Sequence, residues 1–361
     1  MREGAPVKKE LWKGNEAIAE AAIRAGCDCF FGYPITPQNE IPEYMALHMP
    51  EHGRVFVQSE SEVAAINMVY GAAASGKRAM TSSSSPGISL KQEGISYLVG
   101  SQLPAVIVNV MRGGPGLGSI QPAQSDYYQA TRGGGNGDYR TIVLAPCNIQ
   151  EAVDLVQDAF DLADLYRNPV MVLADGMIGQ MMEPIVWRDR PKRALPPKDW
   201  AASGRNGRDH NNFLTSLFIE AQACEDHNQA IQEKVLAMES REVRWEEQET
   251  ADCELLITAY GTPSRIAMSA VSQLREKGIK AGLFRPITLW PFPYQALGHL
   301  ARQDRVKAVL TVEMSLGQMV DDVRLAVGDA KPVSFFGRAG GSIPTVAQIV
   351  EAAEAAWKGG K

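Results

Sequence analysis

Long apolar runs are missing from this 361-residue sequence, and none of those present is long enough to span a bilayer, so no membrane-crossing helix is expected. Cysteine is scarce. The five cysteines are odd in number and never paired at Cys-x-x-Cys spacing, which excludes a disulfide scaffold and leaves no expected iron-sulfur cluster in this chain. Cys27 and Cys29 read as packing residues on the approach to a strand, and a reducing cytoplasm is the expected compartment. Positive charge is also short: 36 Lys and Arg stand against 42 Asp and Glu, giving a net charge of -6 and a pI near 5.5. A phosphate-backbone binder needs a positive face, so nucleic acid is not an expected partner. Residues Met1 to Lys13 are charged without an apolar stretch, so no secretory signal is expected. His48 and His52 are separated by Pro50, which is expected to break the helix that would align them, and no metal site is expected.

What is present is an ordinary globular composition, 45% hydrophobic and 22% charged, over a length that suggests two domains. Short apolar runs alternate with longer amphipathic ones through the first half, the pattern of strands joined by crossover helices in a parallel sheet. Strands are expected at 29–31, 54–58, 78–82, 105–111, 141–144 and 169–173, with helices at 16–25, 60–74 and 149–165. The composition shifts after Trp187 to a charged, Pro- and Gly-rich arm, followed by a polar helical stretch from about 213 to 239. A second series begins at Glu254, with strands at 254–258, 282–284, 306–312 and 333–336 and a final helix from 345 to 357. The expected fold is α/β: a parallel-sheet domain over 1–187, an arm and helix over 188–250, and a smaller α/β domain over 251–361.

Several turns follow strands, where α/β sheets place their ligands. In Gly32-Tyr33-Pro34-Ile35-Thr36-Pro37 two prolines pin the backbone, and the Thr36 hydroxyl either meets a substrate oxygen or caps the next helix. In Gln58-Ser59-Glu60-Ser61-Glu62-Val63-Ala64-Ala65-Ile66 a carboxylate opens an apolar helix. The dipole there favours the charge on Glu62 and the apolar surroundings oppose it, which makes Glu62 a candidate for acid-base work; Glu60 reads as a capping residue on the exposed side. Thr81-Ser82-Ser83-Ser84-Ser85-Pro86-Gly87 offers amides and hydroxyls at a helix start. Arg112 ends a very apolar strand with Gly113, Gly114, Gly116 and Gly118 behind it, a planar fork for a carboxylate with room for close approach. These glycines fail the dinucleotide spacing, because Ser119 stands where the third glycine belongs, which weighs against a nicotinamide dehydrogenase. Gly133 to Tyr139 is a further flexible loop, a lid, an interface or plain connection.

Taken in order, these turns resemble the 2-oxoacid:ferredoxin oxidoreductase family across nearly the whole chain. The Gly32 to Pro37 turn is similar to that family's Tyr-Pro-Ile-Thr-Pro turn, and Glu62 lies at the spacing from Gly71 of its activating glutamate. The resemblance implies a pyrimidine-type thiamine diphosphate domain followed by a transketolase C-terminal-like domain. It implies that Glu62 meets the aminopyrimidine ring, that Tyr33, Pro34, Ile35, Ser84 and Ser85 help hold the cofactor, and that Thr36 and Arg112 hold the 2-oxoacid. Gly87 to Gly94, the Arg112 to Gly118 loop and Tyr166 to Val170 look most like the 3-methyl-2-oxobutanoate subunit. One departure is Asn136, where the family's Gly-rich loop carries histidine.

Neither Gly137-Asp138-Tyr139 nor Ala174-Asp175-Gly176 supplies the magnesium-diphosphate motif of thiamine enzymes. The resemblance therefore implies a heteromeric complex: a beta-type subunit holding diphosphate and magnesium, a gamma-type subunit, and a ferredoxin-like subunit carrying iron-sulfur clusters. The expected activity is coenzyme A-dependent oxidative decarboxylation of a 2-oxoacid, branched-chain favoured. A 2-oxoglutarate subunit, a non-oxidative thiamine enzyme and a non-catalytic assembly subunit remain as alternatives.

Overall fold

The computed structural model describes residues 8–188 and 193–359, so residues 189–192 of the charged arm expected after Trp187 lie outside the described residues. The first half alternates as the apolar pattern dictates. Strand β1 (Glu10–Lys13) leads into α1 (Gly14–Arg24), β2 (Cys29–Gly32), α2 (Glu40–Glu51), β3 (Val55–Gln58), α3 (Glu62–Ala74), β4 (Ala79–Ser83) and α4 (Ser85–Gly100). Strand β5 (Ala105–Met111), α5 (Tyr127–Arg132), β6 (Ile142–Leu144), α6 (Ile149–Tyr166), β7 (Pro169–Asp175), α7 (Gly176–Gln180) and β8 (Met182–Ile185) follow.

Helix boundaries are set by local chemistry. Ser61 caps α3 by accepting from the Ala64 amide at 3.1 Å, Asn148 caps α6 through Glu151 at 2.8 Å, and Gly26 takes φ +85° just past α1, a conformation glycine adopts without strain. Helix α2 runs through Pro50 to Glu51, so the proline does not break it: it sits in the last turn, where one lost backbone bond costs little.

After the arm, α8 (Ala221–Arg241) and β9 (Trp245–Gln248) precede β10 (Leu255–Thr258), α9 (Gly261–Glu276), β11 (Ala281–Pro286) and β12 (Thr288–Trp290). The chain closes with α10 (Tyr294–Ala301), β13 (Ala308–Glu313), α11 (Met319–Val327), β14 (Val333–Gly337) and α12 (Val346–Gly359).

Three sheets result. The seven-stranded sheet has the order β12-β6-β7-β5-β4-β2-β3, parallel except for β12, and its central β5 is buried along its whole length, as expected of a strand covered on both faces. The five-stranded sheet has the order β14-β13-β10-β11-β9, parallel except for β9, and β1 pairs with β8 in a separate ribbon. Two strands escape the expected boundaries. Strand β9, polar and charged as exposed edge strands are, joins the second sheet from before residue 251, and β12 crosses back to the first sheet as an antiparallel edge. The polar helix begins at Ala221 rather than 213: the stretch before it is not helical and packs on the end of α4, where a Cβ at Gly100 would meet Ser216 at 2.9 Å, and within the helix His227 meets the Gly100 carbonyl at 2.6 Å.

Candidate active site

In the large sheet the chain runs outward from β2 to β3 and then returns to lay β4 on the other side of β2. Helices on opposite sides of this reversal open a crevice at the carboxyl ends of β2 and β4, the usual ligand position in an open α/β sheet. The turn 33–37 follows β2, the segment 59–62 follows β3, Ser84 and Ser85 follow β4, and Arg112 follows β5. Residues nearly eighty positions apart thus share one rim.

Glu62 is the first residue of α3 and is only 6% exposed, whereas Glu60 stands exposed in the preceding turn. Among the described residues nothing donates a hydrogen bond to the Glu62 carboxylate, which leaves a buried acceptor at a helix N-terminus open to a ligand. Gly87 in α4 makes that placement possible. A Cβ at position 87 would meet Glu62 Oε1 at 2.6 Å and Ser83 Oγ at 2.1 Å. Ser59 joins the two turns, donating its amide and its hydroxyl to the Gly32 carbonyl at 2.9 and 3.0 Å.

Tyr33, Pro34 and Thr36 lie exposed at the rim, with Ile35 half-buried. Gln38, which residue types alone did not single out, is fully buried behind them: it accepts from Ser82 Oγ at 2.5 Å and donates to the Tyr33 carbonyl at 3.5 Å, tying the turn to β4. Arg112 is brought against the same turn. Its Nη1 donates to the Thr36 carbonyl at 2.9 Å and its Nη2 to the Leu117 carbonyl at 3.0 Å, while Nε is buried without a partner. Three of the five guanidinium hydrogens therefore stay available for an anion.

Ser84 and Ser85 part company. Ser83 Oγ and Ser84 Oγ are buried without partners, an unsatisfied pair that a ligand at the rim would relieve. Ser85 Oγ is instead committed to structure, meeting Asp126 Oδ2 at 2.6 Å and accepting from the Arg112 amide at 3.0 Å. Asn109 completes this knot by donating to Asp126 Oδ2 at 2.9 Å and accepting from the Ser85 amide at 3.2 Å. Burial pushes the Asp126 carboxyl up against the opposing pull of Ser85 and Asn109. The knot fixes the start of α4 and the backbone of Arg112 in one frame, so the expected cofactor contact of the Ser85 hydroxyl gives way to a structural one.

Beside Thr36 lies a cavity of about 440 Å³ lined in part by Pro37, Glu40, Ile120, Met177 and Ile343, with no Lys, Arg or His among its lining residues. Burial works to raise the Glu40 carboxyl, but hydrogen bonds from Lys13 at 2.5 Å and Asn15 at 2.7 Å, with Gln180, hold it below its ordinary value. The glycine-rich loop packs on α4, where the Gly134 amide reaches Gln92 Oε1 and Asn136 Oδ1 accepts from Ser96 at 3.2 Å. Asp175 caps α7 and accepts from Thr262 Oγ1 at 2.8 Å, joining the two units.

Residues 20–250 match the family described as pyruvate flavodoxin/ferredoxin oxidoreductase, thiamine diphosphate-binding, and residues 253–349 match pyruvate:ferredoxin oxidoreductase core domain II. Ketoisovalerate oxidoreductase subunit VorB of Methanothermobacter marburgensis is 51% identical over 341 residues, covering 94% of this chain and 96% of that one. 2-Oxoglutarate synthase subunit KorA of Methanothermobacter thermautotrophicus is 38% identical over 364 residues, covering 94% and 96%. Among solved structures, a 2-oxoglutarate:ferredoxin oxidoreductase from Magnetococcus marinus with 2-oxoglutarate, coenzyme A and succinyl-CoA bound superposes with a TM-score of 0.85 at 26% identity, covering 98% of this chain and 66% of that one. A split-gene transketolase shares the fold at a TM-score of 0.60 and 16% identity.

Proposed function

This chain belongs to the pyruvate flavodoxin/ferredoxin oxidoreductase family, and on that premise we propose that its rim is the pyrimidine half of a thiamine diphosphate site in a multi-subunit 2-oxoacid:ferredoxin oxidoreductase. The observation that carries this reading is Glu62: a buried carboxylate without a hydrogen bond, set against Gly87 at the switch point of a parallel sheet. The unpartnered hydroxyls of Ser83 and Ser84 suit the edge of a polar ring in the same crevice.

Bound there, thiamine diphosphate would supply a carbon nucleophile toward the 2-oxo group and an electron sink for decarboxylation. Glu62 accepts the hydrogen bond of the pyrimidine ring nitrogen and, with Tyr33, Pro34 and Ile35 at the rim, orients the ring. Arg112 and Thr36 hold the 2-oxoacid carboxylate beside it. On this reading a beta-type subunit holds the diphosphate and magnesium. A gamma-type subunit and a ferredoxin-like iron-sulfur subunit complete the complex, and coenzyme A takes the acyl group.

Replacing Arg112 with alanine is expected to raise KM for the 2-oxoacid by about 10- to 100-fold, the weight of one or two charge-assisted hydrogen bonds, with a smaller fall in kcat. Steady-state kinetics on the complex measure this; an unchanged KM removes Arg112 from the substrate site.

The substrate favoured here has a branched apolar side chain. The cavity beside Thr36 offers Ile120, Met177 and Ile343 to such a group and no lining Lys, Arg or His to a second carboxylate, and the nearby Lys13 is already paired with Glu40 at 2.5 Å. The test is anaerobic purification of the native complex, then a 2-oxoacid panel with coenzyme A and a viologen acceptor. Turnover of 3-methyl-2-oxobutanoate is expected to exceed that of 2-oxoglutarate by at least about tenfold in kcat/KM; the reverse order overturns the side-chain assignment, and no coenzyme A-dependent oxidation of any 2-oxoacid overturns the activity.

A further inference from the structure

Helix α4 turns three residues at i, i+4 and i+7 toward α3: Gly87, Lys91 and Gly94. The two glycines bring the helices close, since a Cβ at 87 would meet Glu62 Oε1 at 2.6 Å and a Cβ at 94 would meet Ile66 Cγ2 at 2.5 Å. Lys91 stands between them in the same seam. Side chains on a helix lean toward its N-terminus, so Lys91 leans toward Gly87 and Glu62.

Lys91 is 0% exposed, and its ammonium Nζ is buried without a hydrogen-bond partner. An amine in that position opposes folding unless something recovers the loss. Burial pushes it down to about 8, and the Glu62 carboxylate works the other way. A methionine or leucine would fill the seam with no such penalty. The position therefore carries a charge that the fold itself does not need.

We propose that Lys91 is a positioning residue for Glu62, its buried positive charge holding the Glu62 carboxylate at the cofactor-facing end of the α3–α4 seam, where it accepts from the pyrimidine ring. The inference rests on the functional reading above. Its reach is electrostatic: no hydrogen bond joins Lys91 Nζ to Glu62, and burial strengthens the attraction between their opposite charges.

The test is Lys91→Met in the assembled complex, which keeps the length of the side chain and removes the charge. A purely structural lysine predicts a lower melting temperature. The positioning role predicts the opposite pairing: melting no lower than the parent, with thiamine diphosphate bound about tenfold more weakly and the near-ultraviolet dichroism band of the cofactor's imino tautomer reduced. Lys91→Met added to Glu62→Gln is expected to cost nothing further, since the residues act as one unit. Unchanged cofactor affinity and dichroism overturn the proposal, and so does a loss that multiplies with Glu62→Gln.

A second measurement needs neither the cofactor nor a substitution at 91. In the full chain labelled with nitrogen-15 lysine, the Lys91 titration midpoint is expected to fall when Glu62 is replaced by glutamine, because the carboxylate sustains the ammonium. An unmoved midpoint overturns the coupling. A parent complex that binds no thiamine diphosphate refutes the functional reading instead, and the titration still decides whether Lys91 and Glu62 are coupled.

Discussion

Glu62→Gln is expected to leave the chain folded and assembled while lowering 2-oxoacid oxidation by about 10²- to 10⁴-fold, the range of a removed acid-base partner. The amide matches the carboxylate in size, so the contact with Gly87 survives and the Ser61 cap of α3 is untouched. What is lost is an anionic acceptor. Glutamine can still offer its carbonyl to a ring nitrogen, but it cannot compensate the charge that accumulates there. The fall belongs in kcat rather than in the KM of the 2-oxoacid, because the proposed reading gives the substrate carboxylate to Thr36 and Arg112 and not to Glu62. Single-turnover rates with matched cofactor occupancy measure this, and full activity in a correctly assembled variant assigns Glu62 to structure alone.

Asp322→Ala carries the largest expected loss of stability, about 3–5 kcal/mol, as a buried carboxylate that several donors share is removed. Asp322 is 1% exposed and lies on α11 of the second unit. It accepts from Tyr127 OH at 2.6 Å and from Arg132 Nη2 at 2.8 Å, both on α5 of the first, and also from the Tyr294 hydroxyl. Burial and the neighbouring Asp322 carboxylate push Tyr294 up to about 12, and Tyr127 rises for the same two reasons. Both phenols therefore stay protonated donors at neutral pH. Without Asp322 two phenols lose their buried acceptor and Arg132, whose side chain is 43% exposed, loses its partner, while Asp322→Asn keeps a carbonyl acceptor and is expected to lose less. Urea unfolding of the full chain measures the difference, and hydrogen exchange should rise first in α5 and α11. A loss below about 1 kcal/mol would place the docking of the two units elsewhere.

The rim was largely legible in the sequence because its turns carry their own local chemistry. Two prolines in 33–37 and a serine run opening α4 each fix a backbone shape over a few residues, whereas the cap before Glu62 is Ser61 and not the expected Glu60. Ser85 shows where that legibility stops: nothing near it in the chain distinguishes it from Ser84, and only Asp126, forty-one residues away, decides that its hydroxyl is taken. Gln38 escaped notice for the same reason, since its partner Ser82 lies across a strand. Lys91 left a faint signal, a lysine between two glycines on one helical stripe, whose meaning depended on which helix that stripe would face.

By itself the sequence determined the alternation of strands and helices, the positions of the turns and the absence of long apolar runs, because periodicity, capping and proline constraints act over a handful of neighbouring residues. Tertiary structure alone decided that β4 returns past β2 to open the crevice, that β12 crosses into the first sheet, that Glu62 comes against Gly87, and that Arg112 comes against the 33–37 turn. Those outcomes depend on which buried faces meet, and that is settled by the packing of the whole chain rather than by any segment of it.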